Sequence, residues 1–232
     1  MKILFAGCSN LINDNQLLNK QDIWKKHVFG NNANITNISW SGVGNQFIRS
    51  NTIDFLEHND VDFVYVQFTG LARFDFAVDK NYTTGALDNT THVKGYKRSF
   101  MCSGGRVGTW LGNTRTKQIF MPIYYDKNNY SHVSDDSIQN VNALLNYLDI
   151  KKINHFWNFY YDITNPKTPE VDMYDGRVST FPKILSIKNW LQSDPHSYCF
   201  LNKGLQDDGC HFVNSVYERW VESIKETAKV LL

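Results

Sequence analysis

The chain has 232 residues, a formal net charge of +1 and 42% apolar residues, including 15 Phe, 12 Tyr and 6 Trp. That length fits one α/β domain or two small ones with a sizeable core, and the balanced charge provides no global field for nucleic acid or an anionic membrane. No apolar run is long enough to span a bilayer, and Cys8, Cys102, Cys199 and Cys210 match no zinc spacing, so a reducing compartment is expected.

The first informative stretch is Met1 to Asn10. Ile3 to Ala6 is a continuous apolar run stopped by Gly7, which reads as a buried strand. Gly7-Cys8-Ser9-Asn10 then turns the chain. A serine there lies at the carboxyl end of a strand, where open α/β sheets place their ligands; equally, Ser9 can simply cap the helix that follows. The apolar segment before Cys8 is too short for a signal peptide and only Lys2 charges it, so no cleaved leader and a cytoplasmic location are expected.

Asn15 to Val28 carries Leu17, Leu18, Ile23, Trp24 and Val28 at helical spacings, closed by Gly30. Asn34 to Trp40 is β-branched and predicts a second strand. Ser41 to Asn45 is a glycine turn, followed by a helix from Gln46 to His58. Val61 to Phe68 is a third strand. This alternation predicts a parallel sheet with right-handed crossovers.

From Asp79 to about Asp126 the rhythm breaks into a polar, aromatic segment without sustained periodicity, the length of a functional insertion or lid. Its Lys94, Lys97, Arg98, Arg106, Arg115 and Lys117 suit an acidic ligand or, more commonly, a solvated surface. Ser134 is placed to cap a helix to about Leu148, with Ile153 to Tyr160 a fourth strand. Phe181 to Leu191 reads as a short helix, residues 206–212 as a turn, and Asn214 or Ser215 as the cap of a final helix. Without a repeat or linker, residues 1–232 form one domain with its insertion at about 79–126.

In Asp208-Gly209-Cys210-His211 an acid and a histidine three apart can face one side of a turn. Asp208 can then accept from Nδ1–H while Nε2 points outward. A serine hydroxyl needs such a base to act as a nucleophile. Taken alone, the segment is equally a local turn beside a surface histidine. The remaining histidines (His27, His58, His92, His132, His155 and His196) show no metal-ligand spacing, and neither metal nor cofactor is expected.

The combination of a Gly-x-Ser turn after the first strand, a glycine turn after the second and Asp-x-x-His before the last helix resembles the SGNH (GDSL-type) hydrolase family. The resemblance implies a three-layer α/β/α sandwich around a flavodoxin-like parallel sheet, and hydrolysis of esters. It places Ser9 as nucleophile, His211 as base and Asp208 as orienting acid, with the Ser9 and Gly42 amides as the oxyanion hole. The sequence departs from the family in two places. Gly-Asp-Ser is here Gly7-Cys8-Ser9, and no asparagine follows the third strand, which continues Thr69-Gly70-Leu71-Ala72-Arg73. Losing an oxyanion donor costs on the order of a hundred- to a thousand-fold in rate. Thr69, Asn45 or Arg73 are candidates to replace it, although Arg73 equally suits a structural ion pair. Cys8 and Asn10 flank Ser9, and Cys8 is a second candidate nucleophile.

The expectation is a serine esterase removing short acyl groups, such as O-acetyl, from a carbohydrate, with no nucleic-acid partner. Two rivals stand beside it. One is a catalytically silent glycan-binding or structural protein of a viral or surface assembly. The other is a flavodoxin-like nucleotide binder, for which Gly42-x-Gly44 is too short a signature.

Overall fold

The computed structural model describes residues 1–8, 11, 20–40, 43–71, 75–78, 90–91, 99–102, 130–161, 188–191, 193–204 and 212–232. In chain order these form β1 (Lys2–Gly7), α1 (Lys20–Trp24) running on as a π-helical turn (Lys25–Phe29), β2 (Asn34–Asn37), α2 (Asn45–His58) and β3 (Phe63–Phe68). Then come β4 (Asp75–Val78), β5 (Thr90–Thr91), β6 (Ser99–Cys102), α3 (Tyr130–Ile150), β7 (Asn154–Phe159), α4 (Pro195–Leu201) and α5 (Asn214–Val230).

Four strands pair in parallel in the order β2-β1-β3-β7, as the strand–helix alternation predicts. Every residue of β3, and every residue of β1 after Lys2, is buried, because helices cover both faces of the sheet. On one face Phe5, Tyr65 and Phe156 lie abreast in register. The Trp24 ring meets them at 5.9, 4.6 and 5.6 Å, and Trp220 of α5 reaches Trp24 at 6.0 Å. Trp24 Nε1 donates to the Tyr217 hydroxyl at 3.1 Å, so this aromatic layer buries its polar tips with a partner. Full burial of each such side chain contributes about 1.5–3 kcal/mol. α2 and α3 pack together as the other outer layer, with Phe47, Ile48, Val141, Leu144 and Leu148 buried beneath them. The result is the expected three-layer α/β/α sandwich.

Several local expectations are corrected. The third helix starts at Tyr130, so Ser134 lies inside it rather than capping it. The last helix is preceded by Val213, which supplies no side-chain cap. Lys188 to Leu191 are not helical: Asn189 has φ 60°, which breaks a helix, and Trp190 bridges in parallel to Trp157 at the outer edge of β7. Trp157 N donates to Asn189 O at 3.0 Å and Leu191 N to Trp157 O at 2.8 Å. Residues 181–187 lie outside the described residues. The helix α4 was not expected, although Asp194 accepts from Ser197 N at 2.7 Å and Pro195 occupies its first turn, a recognisable start signal. The segment expected to lack periodicity contributes β5 and β6, which join β4 in a small antiparallel sheet of order β4-β6-β5. Strands of two to four residues are too short to show a period in sequence.

Candidate active site

Ser9, Asn10, Gly42, Arg73, Asp208 and His211 lie outside the described residues; Cys8, Asn45 and Thr69 lie within them. The residues flanking the first group are fixed by hydrogen bonds and packing at the carboxyl edge of the sheet. Leu11 N donates to Cys8 O at 3.1 Å, joining the two residues on either side of positions 9 and 10. Leu11 is itself buried, and its carbonyl accepts from Asn37 Nδ2 at 2.7 Å, which ties it to the end of β2.

The second segment is anchored at both ends. Trp40 N donates to Gly7 O at 3.1 Å, and Gly44 N donates to Asp75 Oδ1 at 2.8 Å. Asp75 is 4% exposed, and its other oxygen accepts from Phe47 N at 2.8 Å. One carboxylate thus takes two amides of the first turn of α2, where a negative charge is favoured.

At the end of β3, Thr69 N donates to Asn45 Oδ1 at 3.0 Å. Asn45 Nδ2 in turn donates to Thr69 O at 3.3 Å and to Ser137 Oγ at 2.7 Å. Asn45 is fully buried, and its whole amide is engaged in stapling α2 to β3 and α3. Among the described residues the Thr69 hydroxyl is buried without a hydrogen-bond partner. A buried hydroxyl without a partner is a cost to folding that a native protein rarely carries without reason.

The fourth segment joins α4 to α5. Val213 N donates to Gly204 O at 2.7 Å, which brings together the described residues on either side of positions 205–211. A Cβ on Gly204 would lie 2.4 Å from Val216 Cβ, so only glycine fits at that position. Phe212 is buried, 5.4 Å from the Tyr160 ring just after β7 and stacked 5.5 Å from Tyr217.

Beneath these segments the described floor is buried and built of neutral side chains. Gly7, Gln67 and Asn158 are abreast in register. Gln67 Nε2 donates to the Tyr65 hydroxyl at 3.2 Å, and that hydroxyl donates to Asn158 Oδ1 at 3.0 Å. Asn158 Nδ2 then donates to Ser193 O at 3.2 Å. Burial holds the Tyr65 phenol well above its ordinary value, and Tyr217 and Cys8 raise it further. Tyr217 is raised chiefly by burial too, against the hydrogen bond from Trp24. Both phenols therefore stay protonated, as hydrogen-bonding groups rather than bases. Cys8 is fully buried among them, the environment of a packed thiol rather than an exposed nucleophile.

Among the described residues no three His, Cys, Asp or Glu side chains are grouped to hold a metal ion, and no helix is long and apolar enough to cross a membrane. Asp75, which sequence reasoning missed, is a single acid before an apolar stretch, and nothing in its spacing marks it.

No protein-family model and no curated protein sequence matches the chain. Solved structures do match in shape. TesA is 11% identical, with all of both chains covered and a TM-score of 0.54. A catalytic mutant of Axe2, an acetylxylan esterase from Geobacillus stearothermophilus, is 12% identical over 97% of this chain and 93% of that one, with a TM-score of 0.53. LAE5, an alpha/beta hydrolase enzyme from the metagenome of Lake Arreo in Spain, is 11% identical over 100% of this chain and 95% of that one, also with a TM-score of 0.53. At such identities the likeness establishes the fold. The described residues have the three-layer α/β/α fold of these structures, an SGNH-hydrolase-like fold.

Proposed function

We propose that this SGNH-fold chain is a serine ester hydrolase. The supporting observation is that the described neighbours of all four candidate segments sit at one edge of the sheet. Cys8 and Leu11 flank Ser9 there, Trp40 and Val43 flank Gly42, Thr69 ends β3, and Phe212 follows His211.

In this reading Ser9 Oγ attacks the ester carbonyl while His211 takes its proton, with Asp208 accepting from the other ring nitrogen. The Ser9 and Gly42 amides stabilise the oxyanion. His211 then protonates the leaving alcohol, and water activated by the same imidazole releases the acid. The burial of Cys8 favours Ser9 over the neighbouring thiol as nucleophile. The substrate class that fits best is a short acyl ester, such as O-acetyl, on a carbohydrate. This follows the polar, aromatic composition of the 79–126 segment and the acetylxylan esterase among the structural neighbours.

A second reading, a catalytically silent glycan-binding protein, draws on one observation. No asparagine follows β3, and Asn45, one of the candidates to replace it, has its amide spent on Thr69 and Ser137. Hydrolysis of p-nitrophenyl acetate and acetylated sugars by wild type, Ser9→Ala and Cys8→Ala separates the two. Turnover lost in Ser9→Ala and kept in Cys8→Ala is expected. The reverse pattern moves the nucleophile to Cys8, and a folded wild type without turnover refutes the esterase.

A further inference from the structure

The loop between β2 and α2 is held from outside its own sequence. Its first anchor, Trp40 N on Gly7 O, belongs to the sheet. Its second is Asp75, whose carboxylate bridges Gly44 N and Phe47 N at 2.8 Å each, from a position 31 and 28 residues further along the chain. No side chain at the helix start itself caps α2: its N-cap is Gly44, with no side-chain bond. Asp75 supplies that cap, and it is also the first residue of β4, paired in register with Cys102 of β6.

We infer that Asp75 is a positioning residue for the reaction: it fixes Gly44 and Phe47 at the start of α2 and couples them to the small β4-β6-β5 sheet. This inference rests on the ester-hydrolase reading above, in which Gly42, two residues before Gly44, carries an oxyanion amide. The physical case has three parts. Gly44 and Phe47 are held in place before any substrate binds, so little order has to be gained at these positions. Their two amides are satisfied by Asp75, so neither is left to take a substrate anion. The carboxylate is 4% exposed, so water cannot replace it cheaply. β4 and β6 in turn pair the backbone of Asp75, which ties the start of α2 to their sheet.

The test uses the full chain as Asp75→Asn, with Asp75→Ser as a second variant should the first fail to fold. Asparagine keeps the shape but turns an N–H toward one of the two amides, breaking one bond of the pair. With p-nitrophenyl acetate, kcat is expected to fall roughly ten- to a hundred-fold, since a misplacement of about 1 Å costs on that order. KM is expected to stay within about two-fold, because the acyl group's ground-state contacts are unchanged. The pH at which kcat/KM rises is expected not to move, since Asp75 passes no proton. Amide hydrogen exchange at Gly44 and Phe47 is expected to quicken while that of β7 is unchanged. A folded variant with wild-type kcat, or loss of activity accompanied by general loss of exchange protection, overturns the positioning role alone. A folded wild type that turns over no ester, with Ser9→Ala indistinguishable from it, overturns the ester-hydrolase reading and this inference with it.

Discussion

Replacing Gly7 with alanine puts one methyl group against Gln67, its register partner on β3. A Cβ there would lie 2.8 Å from Gln67 O, 2.8 Å from Leu11 Cδ1 and 3.2 Å from Gln67 Cβ. The oxygen belongs to backbone in the middle of a buried sheet and cannot swing away. To reach ordinary contact near 3.4 Å, β1 and β3 must part by roughly 0.6 Å at this register. Overpacking of this kind costs about 1–3 kcal/mol. For a chain of this size that corresponds to a fall in Tm of about 3–10 °C. The displacement falls two residues before Ser9, the nucleophile of the ester-hydrolase reading, and at the carbonyl that accepts from Trp40 N after β2. Turnover is therefore expected to fall about ten-fold or more beyond any loss of folded protein. Thermal melts beside esterase rates on the folded fraction measure the two effects separately. Gly7→Ala with wild-type Tm and wild-type kcat would refute the close approach and the route from it to the turn.

Asn45→Ala is expected to lower stability by about 3 kcal/mol or more in urea melts, since it leaves the buried Thr69 amide and carbonyl and the Ser137 hydroxyl without their partner. Stability should also fall in acid through Glu218. His27 Nε2 lies 3.0 Å from it and Lys26 Nζ 2.6 Å, and these two hydrogen bonds, His27 first, hold its carboxyl below the ordinary glutamate value. A depressed folded value means the contribution is complete above the unfolded pKa, about 4.3, and is lost as pH falls through the folded one. Urea midpoints of wild type and Glu218→Gln are thus expected to converge between about pH 5 and pH 3, and a constant gap would count against the contact.

The parts of the fold that the sequence made legible are those in which one physical demand dominates. β1 and β3 are continuous apolar runs because both faces are covered, and α5 repeats Val216, Trp220, Val221, Ile224 and Ala228 because one face is. Gly30 was expected to close the first helix, and it does so at φ 84°. Where demands compete the reading failed. Trp190 and Leu191 fit a helical period, but Asn189 takes the left-handed region and Trp190 joins the sheet edge. The first turn of α3 precedes Ser134 because a polar stretch can be helical when the rest of the helix is packed. For the candidate site, Ser9, Asp208 and His211 are proposed from spacing and resemblance alone and lie outside the described residues; the structure describes residues that flank them. The Asp75 cap and the Asn45 staple join residues far apart in the chain, and such pairings have no local signature.

The aromatic layer under α5 has a consequence for how the molecule comes into being. β1 and Trp24 are made early, yet their partners Phe156, Tyr217 and Trp220 are made late. During synthesis Phe5, Trp24 and Tyr65 must wait with an apolar face open to solvent, a state prone to self-association and to capture by chaperones. Val213 also meets Gly204 late, when α5 docks. Contacts of such long sequence separation make folding slow. In the ester-hydrolase reading, a nascent chain carries Ser9 long before it carries His211, and stays inert toward esters until its last segment is made.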